Sequence, residues 1–214
     1  MPRQLQPELL DALPPEHPDA VHSRRDLRLI NAVMGNHRWM ARTLAGVRRP
    51  GERTLELGAG TGELGRRLAS AGQPADGLDL APRPADWPAG RDWHRANLLT
   101  FDGYGRYDAV IGNLIFHHFS DPELAALGRS LRDSPVRVIV ACEPTRSRFS
   151  QRLFAFVAPW FRPNPVTLHD AHVSIAAGFR ADELPSLLGL RQPEWSCRCH
   201  CTMLGSYRMV ARRT

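Results

Sequence analysis

The chain has 214 residues and an apolar fraction of 43%, enough for one α/β domain with a well-covered core. No apolar run approaches the ~20 residues that cross a bilayer, and the start, Met1-Pro2-Arg3-Gln4-Leu5-Gln6-Pro7, lacks the apolar core of a secretory signal, so the expected location is cytoplasmic. The formal charge of +6 is carried by Arg without any Lys, scattered rather than gathered into a block, which fits a GC-rich coding bias better than a nucleic-acid footprint.

Residues 1–20, rich in Pro and acidic side chains, read as an irregular arm. From Ser23 a helical spacing begins, with Leu27, Ile30, Val33 or Met34, Met40 and Leu44 on one stripe, closed by Pro50-Gly51. Residues 1–50 are thus expected to form an arm and a helical cap, and residues 51–214 a single cofactor-binding unit. In that unit Arg53–Leu57 reads as a strand, Gly62–Ala71 as a helix, Ala75–Leu80 as a second strand and Asp92–Arg95 as a short third. Tyr107–Gly112 is a fourth strand, Asp121–Arg132 a helix opened by Asp121 as N-cap with Pro122 and Glu123, and Val136–Ala141 a fifth strand. Such alternation predicts a parallel sheet covered on both faces. Phe149–Phe161 then reads as an aromatic-rich helix, followed by a loop with Pro163, Pro165, His169 and His172. A short helix over Ala181–Leu188 and a terminal hairpin, Arg191–Cys201 and Ser206–Arg212, complete the chain.

The first strand runs into Leu55-Glu56-Leu57-Gly58-Ala59-Gly60-Thr61-Gly62. Three glycines at alternate positions let a strand turn tightly into a helix with its backbone bare to a ligand. The stretch resembles motif I of the class I S-adenosyl-L-methionine (SAM)-dependent methyltransferases, E/D-x-G-x-G-x-G. With the terminal hairpin, the resemblance covers about residues 50 to 214. It implies a Rossmann-like, seven-stranded, mostly parallel sheet with a C-terminal antiparallel hairpin and helices on both faces. It also implies SAM as cofactor. Gly58, Ala59, Gly60 and Gly62 would lie against its amino-acid part, and Glu56 would stand near its cationic groups. Asp79, at the end of the second strand, is expected to accept the ribose hydroxyls, and Leu80 beside it is expected to contact the cofactor too. Asn97 and Leu98 would meet adenine, with Asn97 where the family commonly has Asp.

After the fourth strand stands Gly112-Asn113-Leu114-Ile115-Phe116-His117-His118, which resembles motif IV of the family's small-molecule branch. Carboxyl ends of parallel strands face the ligand crevice, so Asn113, His117 and His118 are expected near the transferable methyl. Amino-methylating nucleic-acid enzymes carry N/D-P-P-Y/F/W at this point, and metal-dependent catechol enzymes need clustered carboxylates; the chain has neither. The expected enzyme therefore uses no metal and methylates a small, aromatic or polyketide-like molecule, on oxygen in preference to carbon or nitrogen. Nucleic acid is not an expected partner, and no motif sets the oligomeric state. His117, His118 and His169 are the candidates for a general base.

Gly60-Thr61-Gly62-Glu63-Leu64-Gly65 is also formally G-x-G-x-x-G, so a nicotinamide-dependent oxidoreductase stays open as an alternative. Against it stand Glu56, which has no role facing a pyrophosphate, and the terminal hairpin in place of a second mononucleotide-binding half. A non-catalytic binding module with the same fold is the third reading. Asn31, Asn36 and His37 interrupt the cap's apolar stripe and could face the pocket. Phe149, Phe154, Phe156, Trp160 and Phe161 could wall an apolar pocket, although aromatic helices more often belong to the core. Cys197, Cys199 and Cys201 alternate too tightly for a zinc knuckle and are expected as small apolar side chains on one strand face.

Overall fold

Strands β1 (Thr54–Leu57), β4 (Ala109–Asn113) and β5 (Val138–Pro144) are buried almost throughout; β4 and the first half of β5 are accordingly apolar runs, whereas β1 buries Thr54 and Glu56 between its leucines. With β2 (Asp76–Asp79) and β3 (Trp93–Arg95) they form a parallel array, joined by the antiparallel strands β6 (Trp195–Cys201) and β7 (Ser206–Arg213). The order is β3-β2-β1-β4-β5-β7-β6, with β7 antiparallel to β5 and β6. The structure, a computed structural model, describes residues 1–214 except the side chain of Phe161.

The helices are α1 (Leu9–Ala12), α2 (Pro18–Met34), α3 (Asn36–Val47), α4 (Glu63–Ser70), α5 (Asp121–Arg132), α6 (Arg148–Val157), α7 (Pro165–Ala177) and α8 (Glu183–Leu187). Alternate residues of β5 serve opposite layers. Val138, Val140 and Cys142 pack with Met40 and Leu44 of α3 and Leu64 and Leu68 of α4. Ile139 and Ala141 pack with Leu124, Leu127 and Leu131 of α5 and with Leu184. Both faces are thus covered, as the strand–helix alternation predicts. No helix among the described residues is long and apolar enough to cross a membrane.

Five local expectations change. The cap helix starts earlier, at Pro18, and breaks at Gly35, whose left-handed backbone (φ 66°) ends α2 and starts α3. The cap of α5 is Ser120, not Asp121. Ser120 Oγ accepts from the Glu123 N–H, and Glu123 Oε2 accepts from the Ser120 N–H, a reciprocal capping box. The expected Phe149–Phe161 helix is α6 followed by a 3₁₀ turn, Ala158–Phe161. The expected loop carrying His169 and His172 is helix α7. Pro165 sits at its first position, where a missing N–H costs nothing, and Asn164 caps it by accepting from the Val166 N–H. The arm is not wholly irregular either, since α1 forms within it and packs against α7. Of the cysteines, Cys197 and Cys199 pack at the edge of the core and Cys201 is exposed; all are free.

Candidate active site

The turn after β1 is held from β2. The Gly58 N–H donates to the Leu78 carbonyl at 2.9 Å. Asp79 Oδ2 accepts the Gly60 N–H and Oδ1 the Ala81 N–H, both at 2.7 Å. Gly58, Gly60 and Gly62 all have positive φ, and a Cβ on Gly58 would come within 2.6 Å of the Ile115 side chain. Only glycine fits there. Glu56, buried under the turn, has its carboxyl pushed up to about 8 by burial and then by the charge of Asp79. Its Oε2 has no hydrogen-bond partner among the described residues. A buried carboxyl oxygen without a partner, beside bare backbone, is matched by a cationic ligand group that favours its ionised form. The ammonium and sulfonium of SAM meet that requirement, so these residues fit the cofactor.

The second half of the site is built from β4 and β5. After Asn113 the chain makes a 3₁₀ turn, Phe116–His118, wrapped around the fully buried Glu143. Glu143 accepts the N–H groups of Ile115, Phe116 and His117 at 2.9–3.2 Å and His117 Nδ1–H at 2.6 Å. This fixes the ring with Nε2 directed at Glu8 Oε1, 3.3 Å away. Burial works against a charge on His117, but Glu143 and Glu8 outweigh it and hold the imidazolium up to about 9. Glu8 is correspondingly lowered: its burial is overcome by His117, His118 and a hydrogen bond from Ser174. The His118 ring lies 4.3 Å from that of His117, and its Nε2 is 3.9 Å from Glu8.

The cap closes the third side. Asn113 Nδ2 donates to Asn31 Oδ1 at 3.1 Å, and Asn36 Nδ2 donates to the same oxygen at 3.2 Å. His37 is lowered to about 4 by burial and by Arg67, so its ring is neutral. These elements enclose a cavity of about 460 Å³. Glu56, Gly58, Ala59 and Gly60 line one end, and Asn113, His117, His118 and Glu8 another.

No protein-family model matches the chain, and no curated protein does. Solved structures do. The plantazolicin methyltransferase BpumL in complex with SAH superposes with TM-score 0.73 at 9% identity, over 96% of this chain and 92% of that one. Magnesium protoporphyrin IX methyltransferase (ChlM) from Synechocystis PCC 6803 with bound SAH gives TM-score 0.60 at 18% identity, over 89% and 86%. A structure from echinomycin biosynthesis, concerning conversion of a disulfide bond into a thioacetal group, gives 0.56 at 22% identity, over 81% of each chain. The fold is that of the class I SAM-dependent methyltransferases.

Within that methyltransferase fold, Glu56, Gly58, Ala59, Gly60, Asn113, His117 and His118 meet at one cavity. Gly62 caps α4 behind them. Asp79 holds the turn through two backbone N–H groups instead of standing in the cavity. Leu80 is 64% exposed. Asn97 Oδ1 accepts the Leu99 N–H at 2.8 Å, and Leu98 is buried beside Tyr104. His169 stands apart: it is exposed on α7, paired with Asp170 at 3.0 Å, and does not line the cavity. Sequence reasoning missed two carboxylates. Glu143 carried a readable signal, a charge at the carboxyl end of an otherwise apolar strand. Glu8 carried none, because only tertiary folding brings the arm to the site. Glu8, His117 and His118 offer ligand atoms within 4.8 Å of one another, a set that could hold a transition metal.

Proposed function

We propose that the chain is a SAM-dependent methyltransferase acting on a hydroxyl of a small, largely apolar molecule of aromatic or polyketide type. One observation carries this reading: the glycine turn with the free Oε2 of Glu56 and the His117–His118 pair open onto the same cavity. Bound SAM supplies a methyl group on a sulfonium, a good leaving group. The chain's own residues then bind, orient and manage a proton. Gly58, Ala59 and Gly60 present bare backbone, and Glu56 balances the cofactor's positive charge. Leu29, Ile30, Leu153, Phe154 and Val157 give the acceptor an apolar wall.

Positioning accounts for much of the rate in an in-line displacement. A phenol of pKa ~10 stays protonated at neutral pH, so a base contributes on the order of 10²–10⁴-fold. His118 is assigned that role, with Glu8 stabilising the imidazolium that forms. His117, locked as a cation between Glu143 and Glu8, positions Glu8 and is not the base. His169 has no part in this scheme because it does not line the cavity. Beyond β5 the sheet closes with the antiparallel pair β7 and β6, in place of the second mononucleotide-binding half of a nicotinamide enzyme. Isothermal titration with SAH tests the cofactor directly. Micromolar binding is expected, with no competing response to NADH; no heat at millimolar SAH sinks the proposal.

A further inference from the structure

Helix α6 has two apolar sides with different fates. Leu153, Phe154 and Val157 line the cavity, whereas Phe149, Phe156 and Trp160 are 62%, 73% and 80% exposed. Phe149 and Phe156, two turns apart, share the outward side of α6, and Trp160 adds to the exposed apolar surface from the 3₁₀ turn that follows. The turn between β6 and β7 continues it, with Met203 84% and Leu204 52% exposed, and Leu204 itself lines the cavity. Leu29 and Val33 of α2 are exposed on the same cavity's rim. An apolar rim of this extent on a folded chain marks a docking surface.

Charge says what docks. From Pro144 to His169 the sequence holds no Asp or Glu, but it holds Arg146, Arg148, Arg152 and Arg162. Arg146 is paired with Glu183, whereas Arg148, Arg152 and Arg162 are exposed and form no ion pair among the described residues. Exposed Phe and Trp flanked by unpaired Arg suit the interface of an anionic bilayer, where aromatic rings sit among headgroups and guanidinium groups meet phosphates.

We propose that α6 and the β6–β7 turn dock on an anionic lipid surface, with the cavity mouth against the bilayer. The acceptor is then a lipophilic molecule that partitions into the membrane and enters along α6. This second statement rests on the methyltransferase reading, while the docking itself does not.

Vesicle co-sedimentation tests it, with phosphatidylglycerol–phosphatidylcholine vesicles against phosphatidylcholine alone. The expected result is binding to the anionic vesicles, at least about tenfold weaker on neutral ones and falling with salt. The double variant Phe156→Asp, Trp160→Asp should lose binding to both. Arg148→Glu, Arg152→Glu should lose the preference for phosphatidylglycerol. Neither pair lines the cavity, so SAH titration should be unchanged in both, which also reports that they fold. Wild-type chain that stays off both vesicles, or binding indifferent to these substitutions, overturns the proposal. So does a concentration-dependent dimer abolished by the same Asp substitutions, which would assign the surface to a second copy. Vesicle binding without SAH binding would refute the methyltransferase reading and leave the docking standing.

Discussion

In the proposed methyltransferase, the buried Glu56 couples cofactor binding to pH. Its ordinary value is 4.5, and in the fold it rises to about 8, chiefly by burial. Asp79 opposes its ionisation, while Arg66 and the Gly65 N–H favour it. Below pH 4.5 the carboxyl is neutral in folded and unfolded chains alike; between 4.5 and 8 the folded chain keeps a proton that the unfolded one has lost. Stability of the cofactor-free chain therefore falls as pH rises through this window. SAM favours the ionised form, so its affinity should rise towards pH 8, by up to about tenfold per unit. Titration calorimetry from pH 6 to 8 checks this, and Glu56→Gln should flatten the profile. Gly58→Ala is a second residue-level case. A left-handed backbone for Ala costs about 1–3 kcal/mol, and its Cβ would strike Ile115 at 2.6 Å. A lowered melting temperature together with weaker SAH binding is the expected outcome.

At the level of elements, the glycine turn and the 3₁₀ turn are each held by one carboxylate from a neighbouring strand. Asp79 serves the first and Glu143 the second. Asp79→Ala leaves the Gly60 and Ala81 N–H groups without acceptors, and it should weaken SAH binding more than His118→Ala does; equal losses in calorimetry would contradict this. The start of α5 offers a control at a side chain that does not line the cavity. Ser120→Ala removes its capping box at a cost of about 1 kcal/mol, which lowers the melting temperature by roughly 2–4 °C in a chain of this size. SAH affinity should not change. The helices themselves were legible from apolar spacing and breakers. Those signals failed where a breaker was also a starter: Pro165 read as loop yet opens α7, because proline is compatible with a helix's first turn.

On the scale of the whole molecule, the N-terminal arm crosses, as a strap, the edge of the sheet that carries the cavity. Arg3 binds Asp121 and the Phe119 carbonyl, each at 2.7 Å, the Leu9 and Leu10 N–H groups donate to Asp170, and Glu8 reaches His117. Removing residues 1–12 deletes Glu8 and opens the cavity while leaving the glycine turn intact. Turnover should fall on the order of 10²-fold, the lower range for a positioned proton-transfer group, with SAH affinity preserved. Loss of SAH binding instead would mean that the strap holds the cofactor half together.

Local chemistry in the sequence was enough for the layered α/β architecture, the glycine turn and the position of Asn113-His117-His118 at a strand end. Each depends on neighbours in sequence: apolar runs, the backbone freedom of glycine, and the rule that parallel strands present their carboxyl ends to the crevice. Tertiary structure alone decided which polar groups meet. Glu8 and Glu143 converge on His117 from opposite sides although more than a hundred residues of chain separate them. His169 faces away from the cavity because α7 gives that side to Ala171, Ser174 and Ile175, and α6 leaves Phe149 and Phe156 exposed because Leu153, Phe154 and Val157 take its cavity side. Spacing along a chain reports which residues share a face; only packing reports what that face meets.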